Sequence, residues 1–536
     1  VRLLPSPTPP SGDLADLVVG IVNQANRYTL GTWLPTVYPA GVGPIVANTE
    51  TAIRHPSAAA LGLAAALACG VHDETVTGVS AQDATTAVVD VVAAVSAAHG
   101  TVWGATWQSA LWATLAGCAG WLVWDALSDQ VRADVLDMVV AEADLIDGEP
   151  PYWCTANGTV VTPGDSKAEE NAWNAGVVAL AVAMLPDDPR HGAWTQTLCR
   201  WGLSAYATRG DLSAGTVRNG IATSSLGGYN AYDDGTVVNH SIVHPDYMAA
   251  GVASLWSLSA LFGAAGAVWP SAAWHGAERT YGALHMARFT APPFDAPGGT
   301  IYVPESPDVY YPQGNDWGTA RIMDKACADV VAHARGWGGT NAHAMAVRHL
   351  GTQAALQARS STGQTYIDPA EDTYPGREQW VAHHAAWALL ALAADVTESN
   401  APAADLAALN STRGTVEATP MITVPMDAGW EPNVVALSAT ESPGWVDVNP
   451  GRVQRKSSSS AVSVPANTPV RFATLPAALA PAATQVQLGS VHMGGFPVHA
   501  EIRVDTTGAM SLVSSEAGTI QPGGGSSYIV VGPMRW

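Results

Sequence analysis

Residues 229–251 read YNAYDDGTVVNHSIVHPDYMAAG, a stretch that carries Tyr229, Tyr232, Asp233, Asp234, Asn239, His240, His244, Asp246 and Tyr247. A helix opening at Ile242 would set His240 and His244 near its N-terminus, where the dipole lowers an imidazole pKa and keeps the ring neutral as a base. Tyr247 follows one turn later. A neutral His beside a Tyr is a workable pair for taking a proton from a sugar carbon and delivering one to it. The same residues could instead cap a helix and satisfy backbone groups. A zinc helix is a third reading, because His240 and His244 stand at i, i+4; HSIVH lacks the Glu of HExxH, however, and no metal or other cofactor is assigned.

A second cluster, GDSKAEENAWNAG at 164–176, opens an apolar run with Glu169, Glu170, Asn171, Trp173 and Asn174. Two amides and a Trp on the first turn of an inward helix could hold a carboxylate or sugar hydroxyls. The alternative is a capped surface start, with Asp165 as N-cap and the Glu residues favouring the dipole. A third cluster, 305–321, brings Tyr310, Tyr311, Asn315, Asp316, Trp317 and Arg321, a rim suited to stacking and orienting a ligand. Trp103, Trp107, Gln108 and Trp112 could add a wall, although their spacing is equally that of a buried stripe, and Trp112 is expected in the core. GxSxG, P-loop, GxGxxG-after-strand and EF-hand patterns are lacking, which disfavours serine hydrolases and nucleotide enzymes.

The elements that must position these clusters are mostly helices. Apolar residues recur at helical spacing near 12–28, 53–70, 84–99, 106–126, 129–146, 167–186, 192–209, 243–265, 271–290, 317–335, 341–358 and 377–395. With no strands alternating between them, antiparallel hairpins are expected, and about six of these would close a ring. Three long connections, 148–164, 209–239 and 290–314, carry Gly, Pro and aromatic residues, and loops of such length tend to be functional. After Ala394 a Pro/Ala/Thr stretch reads as a linker over 397–418, followed by short alternating runs such as NVVALSA and VHAEIRV. The expected fold class is therefore α+β: an (α/α) toroid over 1–396 and an antiparallel β-sandwich over 419–536.

Composition narrows the partners. The 536 residues hold 24 basic and 46 acidic side chains for a formal charge of −22, and Lys occurs only at Lys167, Lys325 and Lys456, which argues against nucleic acid. Apolar runs are short and interrupted, so no membrane span is expected. Twenty Trp against five Phe favours a carbohydrate site, since an indole offers a flat apolar face and an N–H. Five cysteines without metal spacing indicate neither a disulfide scaffold nor a zinc module. The Pro/Ser-rich opening, with neither Met nor an apolar targeting core, fits a processed chain and an expectation of secretion.

A helical ring followed by a β domain, with Asn171-Ala-Trp173-Asn174 ahead of Asp234-Gly235-Thr236-Val237-Val238-Asn239-His240 and then Tyr247, resembles the polysaccharide lyases that act on hyaluronan, chondroitin and xanthan. Heparinase-like and alginate-lyase-like toroids share the architecture. The resemblance implies β-elimination on a uronate-containing polysaccharide or oligosaccharide. Asn171 or Asn174 would neutralise the uronate carboxylate, His240 would assist, and Tyr247 would take the C5 proton and protonate the leaving O4. Arg218, Arg279 and Arg321 are candidates for an assisting cation. Trp173, Tyr229, Asn239, His244, Tyr311, Asn315, Trp317 and Arg321 would bind the glycan. The rival is a glycoside hydrolase using a pair drawn from Asp233, Asp234, Asp246, Glu169 and Glu170, and a third possibility is a glycan-binding protein without turnover.

Overall fold

The computed structural model describes residues 1–414 other than Thr319 and, beyond them, a set of strands between Ile422 and Arg535. Two compact units divide the chain, Val1–Gly414 and Thr415–Trp536. Helices occur at every position where the apolar period predicts one. Glu50–Ala68 packs on Ser109–Leu122, that helix on Ala168–Met184, and that one on the interrupted helix Pro245–Ala264. Pro245–Ala264 in turn meets Met323–Arg335, which packs on Arg377–Ala393, and the last returns to Glu50–Ala68. The remaining long helices, among them Ala81–Ala98, His191–Ala205 and Thr340–Ala358, lie against this circuit.

The residues that form the circuit explain its closeness. Ser109–Leu122 is apolar or small all round, SALWATLAGCAGWL, and is almost wholly buried, as such helices must be. At Gly176 an added Cβ would stand 2.2 Å from the Ser254 carbonyl oxygen, so only glycine lets Ala168–Met184 approach Pro245–Ala264 so nearly. Pro245–Ala264 has the length and apolarity of a membrane span, but 78% of its most apolar window is buried within the body, the place of a core helix. All five cysteines are buried and unpaired.

The expected linker differs from what is found over 397–414. Thr397–Ser399 pairs in parallel with Val268–Pro270, and Ala403–Gly414 packs as a helix on His191–Ala205. Asn219 donates to the carbonyls of Ser399 and Ala401 at 2.9 and 2.7 Å, and Asn410 exchanges hydrogen bonds with both backbone groups of Val268. Composition read as a linker is thus overridden by two buried amides that satisfy backbone on each side. Residues 415–418 lie outside the described residues.

In the second unit antiparallel pairing joins seven strands in the order Trp430–Pro432, Gly451–Arg455, Tyr528–Val531, Gln485–Met493, Phe496–Val504, Ala509–Ser514 and Val470–Thr474. Four more pair in the order Met534–Arg535, Trp445–Asn449, Ser438–Ser442 and Ile422–Thr423.

Candidate functional site

The 239–247 segment does not open a helix at Ile242. Val238–Asn239 and Ile242–Val243 pair as a tiny antiparallel hairpin, and the helix starts at Pro245, with Pro in its favoured first position. His240 and Ser241 form the two-residue turn with φ of 49° and 67°. Such a turn usually takes Asn or Gly, and holding two other residues there costs on the order of 1–3 kcal/mol each. Neighbours enforce it: Ser241 N–H donates to the Gly164 carbonyl at 2.8 Å, and a Cβ at Gly164, whose φ is +72°, would lie 2.3 Å from Ser241 Oγ.

The strained turn aims the His240 ring. Its Nδ1 lies 2.6 Å from Asp316 Oδ2, and its Nε2 lies 3.2 Å from Tyr247 Oη. With the Nδ1–H donating to the carboxylate, Nε2 presents its lone pair to the phenol, so Asp316, His240 and Tyr247 form a line for moving a proton. His244 Nε2 meets the other Asp316 oxygen at 3.2 Å from a fully buried position. Burial holds the His244 pKa below its ordinary value, and hydrogen bonds from the two imidazoles hold the Asp316 carboxyl low against its partial burial. Burial, with the Glu169 carboxyl next, pushes the Tyr247 phenol well above its ordinary value.

Aromatic rings brace this line. Trp317 stacks on Tyr247 at 5.7 Å and 30° and meets His240 and His244 edge-on or tilted. Arg321 lies over the faces of Trp317 and Tyr374 at 4.8 and 4.7 Å. Beneath them Asp246 accepts from Lys325 and from Asn315 Nδ2 at 3.2 Å, and Arg321 Nε stands 3.4 Å away. These cations hold Asp246 ionised although it is buried. Lys325→Met would leave Asp246 and Asp324 short of a cation in the interior and should destabilise the protein by about 3–5 kcal/mol, read as a lower urea midpoint by Trp fluorescence.

A cleft opens beside the line. Trp107, Trp173, Tyr247, Trp317, Tyr374 and Trp380 supply its apolar walls, and Gln108, Glu169, Asp246, Arg321, Asp324 and His384 its polar groups. Trp107 is exposed and donates to Glu170 Oε1 at 3.1 Å, with its ring edge-on to Trp173.

The structure brings together Tyr247, His240, Asn239, His244, Asn315, Trp317, Arg321 and Trp173. Asn171 is turned away: its Nδ2 donates to the Pro151 carbonyl at 2.9 Å and Ser204 Oγ at 3.0 Å, deep in the packing against His191–Ala205. Asn174 is not among the cleft-lining residues. Tyr229 pairs in a separate two-residue ladder with Cys154, its ring against Trp153. Tyr311 is buried under Lys325 and backs the charge cluster instead of facing a ligand. Of the other proposed cations, Arg279 is taken by Asp211. Trp103 and Trp112 are core, as expected for Trp112. Sequence reading missed Asp316 as the partner of both imidazoles and missed Tyr374, Trp380 and His384. The run REQWVAHH at the start of Arg377–Ala393 is the signal that could have pointed to the last two.

The His240, His244 and Asp316 ligand atoms cluster within 4.8 Å of one another, and those of Asp165, Glu169 and Glu170 do the same. In the first group the 2.6 Å separation of Nδ1 and Oδ2 is a hydrogen bond, shorter than the roughly 3.3 Å between two ligand atoms about 2.0 Å from one tetrahedral ion. In the second, Lys167 Nζ already bridges Asp165 and Glu170 at 2.6 and 3.0 Å.

No protein-family model matches the chain, and neither does any curated protein. Among solved structures it is similar to the head domain of phage bIL170, titled as a receptor-binding domain of lactococcal phages, at 15% identity and a TM-score of 0.18, covering 22% of this chain and 96% of that one. A likeness that slight assigns neither fold nor activity.

Proposed function

We propose that the protein is a polysaccharide lyase that cleaves a uronate-containing glycan by β-elimination. The observation that carries this reading is the Asp316, His240, Tyr247 line ending at an aromatic-walled cleft. We read the closed circuit of helices as an (α/α) toroid and the paired strands of the second unit as a β-sandwich, the architecture expected of such lyases. A polymeric substrate places the enzyme outside the cell.

In the reaction, Tyr247 gives its proton to His240 Nε2, and Asp316 stabilises the imidazolium. The phenolate takes the C5 proton, the C4–C5 double bond forms as the C4–O4 bond breaks, the new phenol protonates O4, and His240 Nε2 then returns its proton to Tyr247. The carbanion-like transition state needs hydrogen-bond donors at the uronate carboxylate, each contributing on the order of 3 kcal/mol in a dry cleft. The net charge of −22 repels a polyuronate at a distance, but screening beyond about 8–10 Å leaves Arg321, which lines the cleft, as the local cation.

A glycoside hydrolase is favoured by one observation: Glu169 and Asp246 line the same cleft with pKa values pushed in opposite directions. Against it, Asp246 is buried and paired with Lys325 and Arg321, and it also accepts from Asn315, which makes its carboxylate a weak nucleophile and a weak base. Incubation with a panel of uronate polysaccharides separates the two. A lyase produces ultraviolet-absorbing unsaturated uronate ends, whereas reducing ends without that absorbance would overturn the proposal.

A further inference from the structure

Glu169 lies on the first turn of Ala168–Met184, is 5% exposed, and lines the cleft beside Tyr247. Its Oε1 accepts from Asn239 Nδ2 at 3.1 Å, while its Oε2 is buried without a hydrogen-bond partner among the described residues. The nearest cation in sequence, Lys167, is held by Asp165 and Glu170. A buried carboxylate left with one bare oxygen and no cation is costly, whereas a carboxylic acid in the same place needs only an acceptor for its O–H. Asn239 fixes which oxygen carries the proton, because the amide can donate only to the unprotonated one. Asn239 is itself held by the His240 N–H, which donates to its Oδ1 at 2.8 Å.

We infer that Glu169 works as a neutral acid whose Oε2–H donates to the substrate's uronate carboxylate, a role that rests on the elimination reading and that Asn171 cannot fill. An ionised Glu169 would repel the uronate and would oppose a phenolate on Tyr247. The neutral form removes both penalties and offers an O–H···O⁻ bond, among the strongest hydrogen bonds available. Burial, with Glu170 adding repulsion, pushes the Glu169 pKa well above its ordinary value, consistent with this protonation state. The site therefore selects an anionic sugar by means of a group that would be an anion in water.

The test compares Glu169→Gln with Glu169→Leu in the full chain. Gln keeps an acceptor for Asn239 and a donor toward the cleft, so it should retain elimination within about tenfold, while Leu should lower kcat/KM by about 10²–10³-fold. Wild-type activity should fall at alkaline pH as Glu169 ionises, and Glu169→Gln should lack that limb. Loss of all turnover in Glu169→Gln, or an unchanged alkaline limb, would overturn the inference. A readout free of turnover keeps it separate from the lyase proposal: the infrared difference between wild type and Glu169→Gln at neutral pH should show a protonated carboxyl C=O stretch. Its absence would sink the inference even if the enzyme proves to be a lyase, and its presence would support a neutral Glu169 even if no polysaccharide is cleaved.

Discussion

Tyr247→Phe should abolish formation of unsaturated product, with kcat falling by about 10⁴-fold, since one group supplying both proton transfers is lost and each such role is worth roughly 10²–10⁴-fold. The substitution removes only Oη and its 3.2 Å contact to His240 Nε2. The ring keeps its stack on Trp317 and its edge contacts to both imidazoles, so the thermal midpoint should hold and glycan binding should persist. A hydrolase running on paired carboxylates would lose little by the same change. Retained turnover in Tyr247→Phe with unsaturated product would show that the proton goes elsewhere, and the proposed line would have to be abandoned.

Asp316→Asn should lower kcat by about 10²–10⁴-fold with KM little changed, measured by initial rates of ultraviolet product. The shape is conserved, but an amide can donate to Nδ1 as well as accept from it. Donation moves the imidazole proton to Nε2, which then cannot take one from the phenol, and no carboxylate remains to stabilise the imidazolium. The pH dependence of stability should change too. Asp316 has a depressed pKa in the folded protein, so the stability it adds is present above the ordinary Asp value and is lost as pH falls through the lowered one. Asp316→Asn should flatten that acid limb. Retained kcat would show that His240 needs no carboxylate to set its tautomer.

The placing of helices was legible because burial of a helix leaves a period that survives in a single sequence, as over 109–122 and 168–184. The face presented to the cleft was not. Glu169 and Trp173 stand at i, i+4 and share one side of their helix, whereas Asn171, two residues on, is turned by about 200° toward His191–Ala205. The 164–176 segment reaches the cleft through Glu169 and Trp173 and not through Asn171, since helix phase relative to a cleft is set by tertiary packing. The hairpin at 238–243 was hidden for a different reason: two strands of two residues carry no period, and the His-Ser turn departs from the Asn-Gly pattern that announces such turns. Asp316 is recruited from 69 residues beyond Tyr247 by the course of a connection, which no local spacing records.

The proposed chemistry draws on three stretches, the start of Ala168–Met184, the 238–247 hairpin and helix start, and the 315–321 connection, and two of these consist largely of backbone outside long helices. Segments of that kind open at lower free energy than packed helices. In a urea series, turnover should therefore fade at concentrations where far-ultraviolet circular dichroism still reads an intact helical body, so that inactivation and global melting separate into two midpoints.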